Sequence, residues 1–343
     1  MKAMRFLAGL SVALLLAASV SRRAGADGDK LILSGCDVLC RPGEEATLAV
    51  KVEEKGLGSK DAEGALVSAF LVTPAGRQLL AQAVTDGHGR ARISLRFEEP
   101  DLYRVAVQAV ARGEPDERGE EEFLAACRRP ERVAVVLDID DTLSDSDNVL
   151  FRSSASVRDS NAVAVVSALA AQYDLLYVTG RARGFSPETR QWLRKAGFPR
   201  APLFLRDGKQ DENLRVGTYK AKVLGRLRRD FPNILIGVGD EDSDVSAYVS
   251  NGMLAILLRE TEWESWNVTR WSQVNELLLG EDVTFRSALP GTVTREGRPW
   301  RFECRKADGG WALSAQGVDL ARGSWPVVRS ALLEQLRRGE ARP

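Results

Sequence analysis

An alternation in the second half of the chain constrains its fold more than any other feature. Five apolar runs, at 133–137, 175–178, 203–205, 234–238 and 255–258, are separated by segments of helical pattern near 161–171, 187–196 and 219–229. Short runs that are apolar throughout suit strands buried on both faces, and strands joined by helices assemble into a parallel sheet covered by those helices. A sheet of this kind binds ligands in the crevice at the carboxyl ends of its strands. The predicted class is α/β over residues 131–280, and polar residues directly behind each apolar run are the first place to look for chemistry.

The flanks read differently. From about residue 30 to 127, short alternating runs such as 46–52, 66–72 and 90–97 are split by Gly, Asp and Pro turns. They predict a small antiparallel β-sandwich of immunoglobulin-like pattern over 29–128. The charged, irregular segment 113–132, with Pro115 and Pro130, reads as the exit from that sandwich into a linker. Beyond residue 281, hairpins around 295–298 and 307–310 and a closing helix over 325–338 predict a small α+β appendix at 283–338. Two or three domains are the expectation for 343 residues.

Composition removes several function classes. The 48 Lys and Arg balance the 48 Asp and Glu, which argues against a generally nucleic-acid-binding or membrane-coating surface. Residues 181–230 are a local exception, with 14 Lys/Arg against 5 Asp/Glu. The single histidine, His88, sits in the turn Asp86-Gly87-His88-Gly89, so histidine-metal clusters are excluded and a Ser-His-Asp triad would have to be built on that turn. Gly56-Leu57-Gly58-Ser59-Lys60 echoes a phosphate-binding P-loop in the wrong order.

A basic start, an apolar segment at 6–19 and Ala24-Gly25-Ala26 as a cleavage site predict a signal peptide over 1–26. The segment is short for a membrane span. Export to a periplasmic or extracellular compartment is expected, with an uncleaved N-terminal anchor as the alternative. The four cysteines, Cys36, Cys40, Cys127 and Cys304, are too scattered for a zinc site. After export they would supply one or two disulfides, of connectivity unreadable from sequence.

The stretch VVLDIDDTLSDSD, 135–147, places five carboxylates behind the first apolar run. Crowded carboxylates raise one another's pKa unless a cation, a shared proton or solvent relieves them. A calcium loop, a phosphoryl-transfer site and a solvated turn are the three readings. An EF-hand loop needs a preceding helix and a glycine at its sixth position, whereas a strand precedes Asp138 and Leu143 holds the glycine position. Magnesium fits better, because it takes few carboxylates and leaves room for water and phosphate oxygens. Thr179-Gly180-Arg181 follows the second run, Gly239-Asp240 with Asp244 follows the fourth, and Lys220 opens the helix between. Singly these are a cap, a turn and a solvated lysine; as an ordered set they converge on one crevice.

In that order, Asp138-Ile139-Asp140-Asp141-Thr142, Thr179, Lys220 and Gly239-Asp240 with Asp244 resemble the haloacid dehalogenase (HAD) superfamily of phosphatases, over about 133–258. YVTGRARGFSPETRQWLRKAGFP (177–199) and FPNILIGVGDEDSDVSAY (231–248) resemble the lipin-type (LNS2) phosphatidate phosphatase catalytic domain, also present in phosphatidylinositol transfer proteins. The resemblance implies a Rossmann-like parallel sheet and a phosphomonoester hydrolase. Asp138 would be the nucleophile that forms an aspartyl-phosphate, and Asp140 the acid/base. Mg²⁺ would be held by Asp138, the main-chain carbonyl of Asp140 and Asp240, with Asp244 in support. Thr179, Gly180 and Lys220 would bind phosphoryl oxygens.

Only 36 residues separate Thr142 from Thr179, and 40 separate Thr179 from Lys220, so neither gap holds a large cap domain. An open site suits a phosphate on a bulky carrier such as a lipid headgroup, with peripheral membrane contact. Arg181 and Arg183 either meet that phosphate or form salt bridges. Trp263, Trp266 and Trp271 follow roughly one helix face and suit buried packing better than a membrane interface. Two rivals remain: a secreted acid phosphatase acting on soluble phosphoesters, and a non-catalytic phosphatidate-binding module.

Overall fold

The computed structural model describes residues 30–56, 60–145, 155–207, 214–261 and 265–338. The expected signal peptide, Asp147 and Trp263 lie outside them. Among the described residues no helix is long and apolar enough to cross a membrane.

The first nine strands are β1 (Leu31–Gly35), β2 (Val38–Cys40), β3 (Glu45–Glu54), β4 (Lys60–Asp61), β5 (Leu66–Thr73), β6 (Gly76–Val84), β7 (Arg90–Arg96), β8 (Asp101–Ala111) and β9 (Glu114–Cys127). They form two sheets, one ordered β1-β3-β4 with β7 on β3, the other β2-β9-β8-β5-β6. Their apolar positions recur every second residue, as in β7, where Ala91, Ile93 and Leu95 point inward. They meet Val50, Val67, Val107 and Phe123 in one core. The pairing is not wholly antiparallel, because β2 runs parallel to β9.

β9 corrects the reading of 113–132 as an irregular exit. It is a strand of 14 residues, and its charges hid it: Glu120 and Glu122 pair across the sheet with Arg77 and Arg104, both at 2.5 Å. Its last residues, Phe123 to Cys127, turn fully apolar and buried.

The alternating region follows as β10 (Ala134–Leu137), α1 (Ala162–Gln172), β11 (Asp174–Ala182), α2 (Ser186–Ala196), β12 (Leu203–Arg206), α3 (Val216–Asp230), β13 (Ile234–Gly239), α4 (Asp242–Ser250), β14 (Leu254–Leu257), β15 (Trp266–Asn267) and α5 (Trp271–Leu279). The sheet order is β12-β11-β10-β13-β14-β15, and every pairing is parallel. β10 lies inside it with β11 and β13 on either side, so the residues behind those three strands emerge side by side. The α2 helix ends on Gly197 at φ 88°, a left-handed cap that only glycine adopts without strain.

The C-terminal elements are β16 (Ala288–Arg295), β17 (Arg298–Ala307), β18 (Gly310–Ala315), β19 (Val318–Gly323) and α6 (Trp325–Arg338), with β16 to β19 forming an antiparallel meander. They share one buried cluster with the parallel sheet, where Phe302, Trp311 and Trp325 meet Trp266 and Ile256. Trp266 and Trp271 are buried as expected, but on a strand and a helix start rather than on one helix face.

The sandwich docks on β12, the edge of the parallel sheet. The Asp37 N–H donates to the Leu203 carbonyl at 3.0 Å. The Asp37 carboxylate accepts the N–H of Leu203 at 2.9 Å and of Leu124 at 3.0 Å. Arg190 of α2 donates to the same carboxylate at 2.9 Å and to the Gly35 carbonyl at 2.8 Å. An edge strand otherwise open to pairing is thereby covered.

Candidate functional site

β10 stops at Leu137, and the residues behind it form a turn. The Asp138 N–H extends the ladder once, to Val238 at 3.0 Å, and then the N–H groups of Leu143 and Ser144 both point to the Ile139 carbonyl, at 2.9 and 3.0 Å. Asp141 takes φ 51°, in the left-handed region that few side chains adopt. Asp138 and Asp140 therefore reach one crevice through a tight turn rather than along a strand. The Trp271 indole donates to the Thr142 carbonyl at 3.1 Å and ties the turn to α5.

Carboxylate oxygens of Asp138, Asp240 and Asp244 lie within 4.8 Å of one another, and all three residues are buried. Lys220 donates to Asp138 Oδ1 at 2.7 Å and to Asp244 Oδ1 at 2.5 Å. It is the fifth residue of α3, one turn in, rather than the helix opening. The Thr142 hydroxyl donates to Asp240 Oδ1 at 2.9 Å. Asp244 sits in the first turn of α4, and its Oδ2 accepts the N–H groups of Asp240 at 3.3 Å and Glu241 at 3.2 Å. Gly239 is required beside it: a Cβ there would lie 2.5 Å from Asp244 Oδ2.

The electrostatics of this cluster are unbalanced, with three buried carboxylates facing one ammonium. Burial pushes Asp138 up to about 8 against the pull of Lys220, and Asp244 and Asp240 add to the rise. Burial likewise pushes Asp240 up to about 6, against the Thr142 hydrogen bond. Burial alone would lower Lys220, but Asp138 and Asp244 outweigh it and hold the ammonium charged. Such a site takes up either a proton or a further cation. An all-oxygen donor set fits a hard divalent cation such as Mg²⁺.

Asp140 stands apart from the three. Arg181 grips both its oxygens, with Nη2 at 2.8 Å and Nε at 3.1 Å, and the Thr179 hydroxyl donates to it at 3.2 Å. Arg181 is itself braced by α2, donating to Thr189 Oγ1 at 3.2 Å and lying over the Trp192 ring at 5.9 Å. Arg183 pairs with Asp207 at 2.9 Å. Both arginines thus take the salt-bridge alternative. Gly180 lets β11 and α3 close together, since a Cβ would lie 2.5 Å from the Val216 side chain.

The structure brings together Asp138, Lys220, Asp240 and Asp244, and places Asp140, Thr179, Gly180 and Arg181 beside them. Sequence reading missed the supports: the Thr142 hydroxyl, Trp271, and the Thr189–Trp192 pair. Thr142 stood in the Asp138–Thr142 motif without an assigned role, and Thr189 and Trp192 stand three apart on one helix face, whereas nothing marked Trp271 as a support.

Asp138, Asp240 and Asp244 thus form a buried acidic cluster at the carboxyl ends of a parallel sheet, met by a lysine from α3, the helix that precedes β13. Residues 135–255 match the family model described as PITM 1-3, LNS2 domain, and this stretch is a lipin-like LNS2 domain. Its flanks lie outside the match. No curated protein matches the chain. Among solved structures, a chain of "Structure of the Pnkp1/Rnl/Hen1 RNA repair complex" aligns with TM-score 0.33 and 14% identity, over 42% of this chain and 50% of that one. A chain of "Structure of Pnkp1/Rnl/Hen1 complex" gives 0.28 and 16%, over 37% and 48%. This chain spans about half the length of each, and neither bears on function.

Proposed function

We propose that this protein is a Mg²⁺-dependent phosphatase that hydrolyses a phosphomonoester through an aspartyl-phosphate, with phosphatidate or a related lipid phosphate as substrate. The observation that carries this reading is the convergence of Asp138, Asp240, Asp244 and Lys220 on one buried point, with Asp140 alongside. Asp138 and Asp240 would hold the metal with the Asp140 carbonyl. Asp244, already accepting two N–H groups and Lys220, would orient them from behind. When bound, Mg²⁺ supplies the positive charge that lets an anionic nucleophile approach an anionic phosphate.

In the first step an Asp138 oxygen bonds to phosphorus, the bond from phosphorus to the substrate oxygen breaks, and Asp140, having released one oxygen from Arg181 and taken a proton from water, gives that proton to the leaving oxygen. In the second step Asp140 takes a proton from water, whose oxygen attacks phosphorus and frees phosphate and Asp138. Lys220 neutralises charge on the phosphoryl oxygens, and the Thr179 hydroxyl turns from Asp140 to donate to one of them. Arg181 keeps Asp140 aimed at the crevice rather than binding phosphate itself. Export and peripheral membrane contact are parts of the same proposal, in which the substrate is a lipid on an outer leaflet.

The LNS2 match is to the PITM 1-3 type, which keeps a non-catalytic phosphatidate-binding role as the second reading. The complete acidic set argues for turnover. Phosphate release from phosphatidate in mixed micelles, compared with release from soluble phosphomonoesters, tests the substrate. Preference for phosphatidate is expected, and equal or faster turnover of the soluble compounds would overturn the lipid assignment.

A further inference from the structure

The fold brings two of the four thiols together where the sandwich hands over to the α/β domain. Cys40 is the last residue of β2 and Cys127 the last of β9, and the two are register partners in that parallel pair. Register partners across a sheet lie about 5 Å apart at Cα and project to the same face, within the Cα range a disulfide spans. Both side chains are buried, at 4% and 0% exposure, and each thiol perturbs the ionisation of the other. The Cys127 thiol also donates to the Phe97 carbonyl at 3.8 Å. The other two cysteines are engaged elsewhere: Cys36 exchanges hydrogen bonds with Leu205 on β12, and Cys304 is buried in the C-terminal sheet.

We propose that Cys40 and Cys127 form a disulfide that staples the second strand of the sandwich to its last one. The position is structurally strategic. β2 begins one residue after Asp37, the hub of the contact with β12, and β9 ends seven residues before β10, which carries Asp138 at its tip. The Arg128 N–H already donates to the Cys40 carbonyl at 2.8 Å, so the two strand ends are held at the spacing a bond needs. The staple closes a long loop of chain, from 40 to 127, and long loops are those in which a cross-link most restricts the unfolded state.

Chemically, the thiolate of one cysteine attacks a disulfide-bearing oxidant, a protein or small-molecule disulfide, and displaces one of its thiols. The second cysteine then attacks the mixed disulfide and displaces the other. Two thiol protons leave, one sulfur–sulfur bond forms, and two electrons reduce the oxidant to two thiols. Burial pushes the Cys40 thiol up to about 12, so little thiolate exists once the sandwich has closed. Oxidation belongs to the folding chain, and the finished bond is shielded from reductants. The export expected from the leader would take the chain where such bonds persist.

The test uses the full chain recovered from an oxidising compartment, denatured and alkylated without reductant, then mapped by peptide mass. The expected result is alkylation of Cys36 and Cys304 only, and one cross-linked peptide pair joining Cys40 to Cys127, lighter by two hydrogens than its reduced parts. Reduction should restore four alkylated cysteines and lower the melting temperature by roughly 5 °C or more. The variant carrying Cys40→Ala and Cys127→Ala should melt near the reduced protein and ignore reductant. Alkylation of all four cysteines before reduction, or a cross-link joining any other pair, would overturn the proposal whether or not the variant folds.

Discussion

At the smallest scale, three side chains determine how the site should respond: Arg181, Asp138 and Asp240. Arg181 is held by Thr189 and Trp192 and in turn holds both oxygens of Asp140, so in the proposed reaction it would act on the substrate only through Asp140. Arg181→Ala should lower kcat by about 10- to 100-fold and leave KM nearly unchanged; a rise in KM at constant kcat would place the guanidinium on the substrate instead. Asp138 and Asp240 contribute to the pH response of the metal-free protein. Their native pKa values, about 8 and about 6, stand above the ordinary carboxylate value, so the folded state binds these protons more tightly than the unfolded state. That contribution is full at acid pH and is lost as pH rises through about 8. Mg²⁺ competes with the same protons, so the rise in melting temperature on adding Mg²⁺ should be larger at pH 8 than at pH 6. A larger rise at pH 6 would contradict the assignment of these carboxylates as ligands.

At the scale of elements, the site depends on how closely β13 approaches the first turn of α4. Gly239→Ala would place a methyl group 2.5 Å from Asp244 Oδ2, against a carboxylate pinned by Lys220 and two N–H groups. It should cost about 2 kcal/mol in urea denaturation and lower activity together with stability; unchanged stability would mean that the α4 turn yields. The parallel strands were legible in the sequence because runs such as Ile234 to Val238 are apolar on both faces, and the ends of those runs located Asp138, Thr179 and Asp240. Three things were not legible. β9 was masked by glutamates whose arginine partners lie on other strands. The turn at Asp141 depends on hydrogen bonds converging on one carbonyl, which no periodicity reports. The arginines of the TGRAR segment could not be assigned to phosphate or carboxylate, because Asp140 and Asp207 meet them only in three dimensions.

At the scale of the whole molecule, the parallel sheet is braced on one face and on one edge. The C-terminal meander shares a core with one face of the sheet, and the sandwich covers its β12 edge through Asp37 and Arg190, both almost wholly buried. Asp37→Ala would leave the Arg190 guanidinium buried without its carboxylate. It should destabilise the protein by about 3 kcal/mol, measured by urea denaturation; a change below about 0.5 kcal/mol would show the contact to be peripheral. The edge contact was beyond sequence reading, since nothing in Cys36-Asp37 signals that an aspartate between two strands will accept from Leu203 and Leu124 at once. The central claim is that these braces serve a phosphatase whose nucleophile is Asp138. Phosphate release from phosphatidate in mixed micelles with Mg²⁺, measured for the full chain and for Asp138→Asn, tests it most directly. Release that needs Mg²⁺ and falls by about 1,000-fold or more in the variant is predicted, whereas equal release from the two proteins would contradict the account.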